Sequence, residues 1–227
     1  MSVAGTKTEV SASNFEIDSE ELQLDSKLRI YRLVDGARLG LTALALASGV
    51  TILSVAADSI AVYNATHVPD DYLLPLWPSK MDLRPTVALI VCSAIVTVAN
   101  VLSLVASKTQ LVQRRAAVHM IISFLTPAVA FVAAITGMAF FYTVNASTTD
   151  DSFQSWTCRW KDVTMTTQPH FGTLCKQSKA GLGLMVFLVP LQVIILGVAG
   201  YQTLLQRQLH HASRVPERKT GPSPDMS

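Results

Sequence analysis

Charge is what this 227-residue chain has least of: 15% of its residues are Asp, Glu, Lys or Arg, while 50% are hydrophobic. A soluble domain carries about a quarter charged residues, so the deficit argues against an ordinary soluble surface and for a membrane protein. The formal net charge of +2 is too small to imply a nucleic-acid partner.

Signatures of catalysis are missing too. There is no His-Glu-x-x-His, no Gly-x-Ser-x-Gly and no glycine-rich phosphate loop. His67, His119, His170, His210 and His211 are scattered along the chain, so neither a metal site nor a cofactor is expected. The chain reads as a non-enzyme. Its first 37 residues are polar, so no cleavable signal peptide is expected to open it, and the first apolar run is a retained span.

What is present is four apolar runs of spanning length: Leu39–Tyr63, Thr86–Ser107, Ala116–Val144 and Ala180–Leu205. A hydrocarbon core of about 30 Å takes about 20 helical residues. Inside these runs Asp58 is the only formal charge, and His119 lies near the start of the third. Twelve of the eighteen Lys and Arg residues fall before the first run, between the second and third, or after the fourth. By the positive-inside rule those segments are cytosolic, as are both termini. The expected fold is an all-α integral membrane protein: a four-helix transmembrane bundle with a disulfide-bridged second outer loop.

Signals on the opposite side agree. The sequons at Asn64 and Asn145 fall there and are candidates for glycosylation, although each abuts a span end. Trp77, Trp156 and Trp160 fall there as well, with Tyr63 and Tyr142 as belt residues at span ends. Cys158 and Cys175 lie in the larger outer loop, 145–179. Outside the cytosol such a pair is structural, and a bridge closing that loop stabilises it by about 3 kcal/mol. Trp156 and Trp160 bracket Cys158 and either cover the bridge or form an outer contact surface. Pro169-His170-Phe171 is expected to fold back onto them.

Taken in order, residues 1–26 are acidic, with a net charge of −5, and read as a disordered tail. The basic segment 27–38 either meets anionic headgroups or simply fixes topology. In the first span, Gly40, Ala43, Ala47, Thr51, Ser54 and Asp58 recur at helical spacing and form a small, polar face suited to helix packing. Ser93, Thr97, Asn100, Ser103 and Ser107 repeat the device in the second span; His119, Ser123, Thr126, Ala130, Ala133 and Gly137 repeat it in the third. The proline-rich first outer loop, 64–85, excludes a long helix. Cys92 reads as a small apolar filler. Pro127 should kink or open the third helix. The tail from Gln206 is expected to be disordered.

Intramembrane polar residues are functional candidates. Asn100, Thr126 and Gln192 lie at similar depth, either as a polar conduit for a solute or as interhelical hydrogen bonds. Asp58, near the outer boundary, is expected to reach water or to pair with Lys80 or Arg84, or else to couple a proton or cation.

The layout resembles the tetraspan membrane proteins, including the MARVEL-type and tetraspanin groups, over residues 28–205. The large loop lacks the Cys-Cys-Gly of tetraspanins, and the first loop lacks the cysteines of claudin-type proteins. Tyr63-Asn-Ala-Thr-His67, Asp82-Leu-Arg-Pro-Thr86 and Trp156-Thr-Cys-Arg-Trp160 are most similar to four-span proteins of filamentous fungi, a resemblance that implies no activity. Two functions follow as expectations. One is a non-enzymatic organiser of lipids, membrane partners or copies of itself, in the plasma membrane or an endomembrane. The other is a small channel or transporter subunit using Asp58, Asn100, Thr126 and Gln192.

Overall fold

The computed structural model describes residues 12–67, 76–78, 80–109, 116–147 and 151–214. The expectation of disorder over 1–11 and 215–227 concerns residues outside that set, as does most of the proline-rich stretch 68–75. Helices α1 (Ala12–Thr66), α2 (Arg84–Lys108), α3 (Ala116–Ser147), α4 (Phe153–Arg159) and α5 (Phe171–Arg214) carry the fold, with two-residue strands β1 (Met81–Asp82) and β2 (Asp151–Ser152). Four segments are long and apolar enough to cross a membrane: Leu28–Thr66, Arg84–Ser107, Ile121–Ala146 and Phe171–Leu205.

Contacts divide the chain into two compact units, Arg38–Gly200 and the pair of end segments Met1–Ala37 and Tyr201–Ser227. Within the end-segment unit, Gln202 Nε2 donates to Asp35 Oδ1 at 3.2 Å. Two expectations of disorder are corrected here. Residues 12–26 belong to α1, and residues 206–214 belong to α5. Glu20-Glu21-Leu22-Gln23-Leu24 and Leu205-Gln-Arg-Gln-Leu209 are strong helix formers. Extending an existing helix avoids the cost of nucleation, so polar sequence of high propensity continues it.

The Arg38–Gly200 unit is built around small residues. Ala45, Ile52 and Ala56 of α1, Val96 and Ala99 of α2, Ala130 and Ala134 of α3, and Met185, Leu188 and Ile195 of α5 form one buried cluster. Two glycines let backbones close up. A Cβ on Gly49 would stand 2.9 Å from Thr97 Oγ1, and one on Gly137 would stand 3.0 Å from Cys92 Cβ and 3.1 Å from Met185 Cε. These are the close approaches that small residues permit between helices.

Two of the three small, polar faces point inward. Ser93, Asn100 and Ser103 of α2 are buried, as are Ser123, Ala130, Ala133 and Gly137 of α3. The face on α1 does the opposite. Gly40, Ala43, Ala47, Thr51, Ser54 and Asp58 are all exposed, and α1 instead packs through Thr42, Ala45, Ser48, Gly49, Ile52, Ala56 and Ser59. The expected packing face is therefore the outward one.

Helix α3 runs through Pro127 and α5 through Pro190 without a break. Proline at 127 has no N–H for the carbonyl of Ser123. Arg38 fills that role from α1, its Nη2 donating to Ser123 O at 3.4 Å. Arg38, expected to meet headgroups or to fix topology, is a backbone partner.

Candidate functional site

At the end of the unit where α1 finishes and α2 begins, the loops build a small apolar cap. Trp77 is its centre, 3% exposed, with Phe153, Phe171 and Leu174 buried around it and Tyr63 and Trp156 at its edge. The indole stacks on Phe153 at 5.7 Å between centroids and meets Phe171 edge-on at 5.4 Å. Its Nε1 donates to Thr66 Oγ1 at 2.9 Å, and that hydroxyl in turn donates to Val62 O. The sequence places Trp77 in the proline-rich first loop without marking it as the centre of a core. Phe171, Leu174 and Cys175 at helical spacing were the available signal.

Cys158 and Cys175 form the expected disulfide, with Cα atoms 4.8 Å apart. It joins α4 to the first turns of α5. Residues 171–179, expected to be loop, are helical because Phe171, Leu174 and Cys175 bury one face at helical spacing against the cap. Gly172 sits where a Cβ would come 2.8 Å from the Lys161 carbonyl, so the loop after α4 lies directly on this helix. Pro169 is buried and Phe171 is in the core, as expected, while His170 stays exposed.

The segment before α2 and the segment after α3 are stitched together. Strands β1 and β2 pair in parallel, Met81 with Asp151 and Asp82 with Ser152. Ser152 then caps α4 by accepting from the Ser155 N–H at 3.2 Å, as serine does at a helix start. Arg159 returns to Asp151 with a two-point contact, Nη2 to Oδ1 at 2.9 Å and Nη1 to Oδ2 at 3.2 Å. The same guanidinium lies 5.9 Å from the Trp156 ring centroid. Trp156 and Trp160 lie 5.8 Å apart; Trp160 is 43% exposed and Trp156 is partly buried at the cap edge. Trp160 is thus the one available for outer contact. Asn64 and Asn145 are exposed, but each sits in the last turns of its helix, α1 and α3.

Below the cap, α2 and α3 part to leave a lateral groove of about 580 Å³. Its walls are Val87, Ala88 and Val91 of α2 with Thr136 and Phe140 of α3, and its floor is Cys92. Asp82 and Arg84 stand at the mouth. Asp82 Oδ1 accepts from the Arg84 backbone N–H at 2.9 Å. The Arg84 guanidinium is exposed and has no ion-pair partner among the described residues.

The intramembrane polar candidates separate rather than assemble. Asp58 accepts from Gln177 Nε2 of α5 at 3.2 Å and pairs with neither Lys80 nor Arg84. The reason is direction: Asp58 faces α5, whereas Arg84 opens onto the groove beside α3. Asn100 donates to its own helix at Val96 O, and Thr126 to Ile122 O. Gln192 is fully buried, and neither its Nε2 nor its Oε1 has a hydrogen-bond partner among the described residues. No hydrogen bond links the three among the described residues, so the expected interhelical network is not formed. Most span hydroxyls likewise bond back three or four residues, as at Thr42, Ser48, Ser59, Ser93 and Thr97.

No curated protein and no solved structure matches this chain. A family model does match, over residues 5–220, and the chain belongs to that family, a domain of unknown function (DUF8762).

Proposed function

We propose that the protein is a non-enzymatic, four-span membrane protein that organises membrane partners, with both termini cytosolic and the cap outside. Its bearing in a bilayer is supported by the outward rows of α2 and α3. Val87, Val91, Ile95, Val98, Leu102 and Val105 of α2 and Ile121, Leu125 and Val132 of α3 are 41–61% exposed, a pattern suited to lipid and costly in water.

The organiser role is carried by the outward face of α1. Five small or polar residues from Gly40 to Ser54 lie exposed along it, and Asp58 ends the row with a hydrogen bond from Gln177 of α5, on a helix whose other face makes the bundle contacts. Thr51 and Ser54 donate to Ala47 O and Val50 O of their own helix, so what this face offers a second helix is close approach along its small residues. The conduit reading loses support, because Asn100 and Thr126 spend their donors on their own helices.

Cysteine crosslinking in membranes tests this. With Cys92→Ser as background, Ala47→Cys and Thr51→Cys should form oxidant-dependent adducts, to a second copy or to another membrane protein, and Val98→Cys on α2 should not. Equal or absent crosslinking at all three positions would overturn the docking role of α1.

A further inference from the structure

We propose that the groove between α2 and α3 is a binding site for one zwitterionic glycerophospholipid of the cap-side leaflet, with an acyl chain in the groove and the headgroup at Asp82 and Arg84. The inference rests on the membrane reading above and adds a ligand and a site to it.

Depth is the first argument. From Arg84 at the mouth to Cys92 at the floor is eight residues of helix, which at 1.5 Å per residue is about 12 Å. Half of a hydrocarbon core of about 30 Å is about 15 Å, so the groove runs through about four-fifths of one leaflet. Volume is the second. About 580 Å³ lies well inside the range of roughly 300–1,000 Å³ found for sites that enclose a small molecule.

The groove ends for an identifiable reason. At Gly137 the missing side chain lets α3 close onto Cys92, whose Cβ and Sγ would lie 3.0 and 3.3 Å from a Cβ there. Above that contact the groove is lined by Val87, Ala88 and Val91 on α2 and by Thr136 and Phe140 on α3. Val87, Val91 and Phe140 are 45%, 52% and 41% exposed, so the opening faces sideways, where a lipid can enter without crossing the protein.

Charge at the mouth selects the headgroup. The Arg84 guanidinium, exposed and without an ion-pair partner among the described residues, is matched by a phosphate, which it can bind through two N–H donors. The Asp82 carboxylate, fixed by the Arg84 N–H two residues on, offers its remaining lone pairs to the ammonium of the same headgroup. A sterol offers the guanidinium no anion, and phosphatidic acid or phosphatidylglycerol offers the carboxylate no cation.

The test uses the full chain in phosphatidylcholine vesicles containing a phosphatidylcholine with a diazirine mid-way along one acyl chain, followed by mapping of the labelled residues. Integration is first checked by resistance to alkaline extraction; failure there removes the four-span reading itself, independently of the groove. In integrated protein, label should concentrate on 87–92 and 136–140. Ala88→Trp, which fills the groove, should abolish that label, while Val132→Trp on the outward row of α3 should leave it intact. Arg84→Gln, which leaves the walls unchanged, should lower it about tenfold, the loss expected for one charge-assisted contact. Intact Cys158–Cys175 and a single size-exclusion peak report that each variant is folded. Label spread evenly over all lipid-facing residues, Arg84→Gln indistinguishable from wild type, or displacement by a sterol but not by unlabelled phosphatidylcholine would each overturn the site.

Discussion

Gln192→Met should make the protein more stable. Gln192 is 0% exposed, its neighbours along α5 are Leu188, Leu191 and Ile195, and both polar atoms of its amide lack a partner. A buried group left unsatisfied costs about 1–3 kcal/mol, and Gln192 buries a donor and an acceptor together. Methionine has nearly the same length and flexibility, so packing is kept while the desolvation penalty goes. In a bilayer the unfolded reference also lacks water, and polar contacts there are worth only about 0.6 kcal/mol on average, which draws the expected gain toward about 1 kcal/mol. That corresponds to a rise in Tm of about 2–4 °C for a chain of this size. Heating detergent-solubilised protein with a thiol-reactive fluorophore gives the assay, because Cys92 is the free, buried cysteine and reacts when the bundle opens. Gln192→Ala separates polarity from packing: it also deletes the amide but leaves a cavity, and should lower Tm. A fall in Tm for Gln192→Met would refute the reasoning, because it would mean that the amide has a partner, a bound water or a group from another chain.

Gly49→Ala places a Cβ 2.9 Å from Thr97 Oγ1 and should destabilise by about 1–3 kcal/mol, while Gly49→Ala with Thr97→Ala should recover most of that in a double-mutant cycle. Trp77→Ala removes the centre of the cap and the partner of Thr66, and should cost about 3–5 kcal/mol, read as loss of the folded species in mild detergent. Replacing Cys158 and Cys175 by serine should lower unfolding stability by about 3 kcal/mol, measured against the oxidised wild type by thermal unfolding. Arg38→Ala leaves the Ser123 carbonyl without its donor beside Pro127 and should cost about 1 kcal/mol, whereas Pro127→Ala in the same background should restore it by supplying the helical N–H.

The long elements were readable because spanning length and hydropathy leave few alternatives. The disulfide was readable because two cysteines share one polar loop, and the inward faces of α2 and α3 because their small residues recur at helical spacing. The outward face of α1 was not. Both sides of that helix carry small residues at the same spacing, Gly40 to Asp58 on one and Thr42 to Ser59 on the other. Periodicity finds such faces but does not rank them, since lipid is as apolar as a helix interface. What decides is Gly49, the residue that lets α1 close onto Thr97. The partner of Asp58 was hidden for a related reason: Gln177 lies in a stretch that reads as loop until Phe171, Leu174 and Cys175 are seen to bury one helical face. The pairing of Met81–Asp82 with Asp151–Ser152 joins two segments about seventy residues apart and carries no local signal at all.

That pairing gives the cap a consequence for the groove. Strand β1 leads directly into α2, and β2 follows α3 after a short connection, so the ladder ties the top of one helix to the top of the other. Lower down, Gly137 against Cys92 fixes a second contact between the same two helices. The groove lies between these two fixed points, bounded above by Met81, Asp82 and Arg84 and below by Cys92. Its walls are small or branched, with Phe140 the only aromatic, and nothing among them is large enough to bridge the gap. Filling it from within would take one larger side chain at Ala88, and the sequence has alanine there. The stitched loops lie above this space and the glycine contact lies below it, with apolar walls between them.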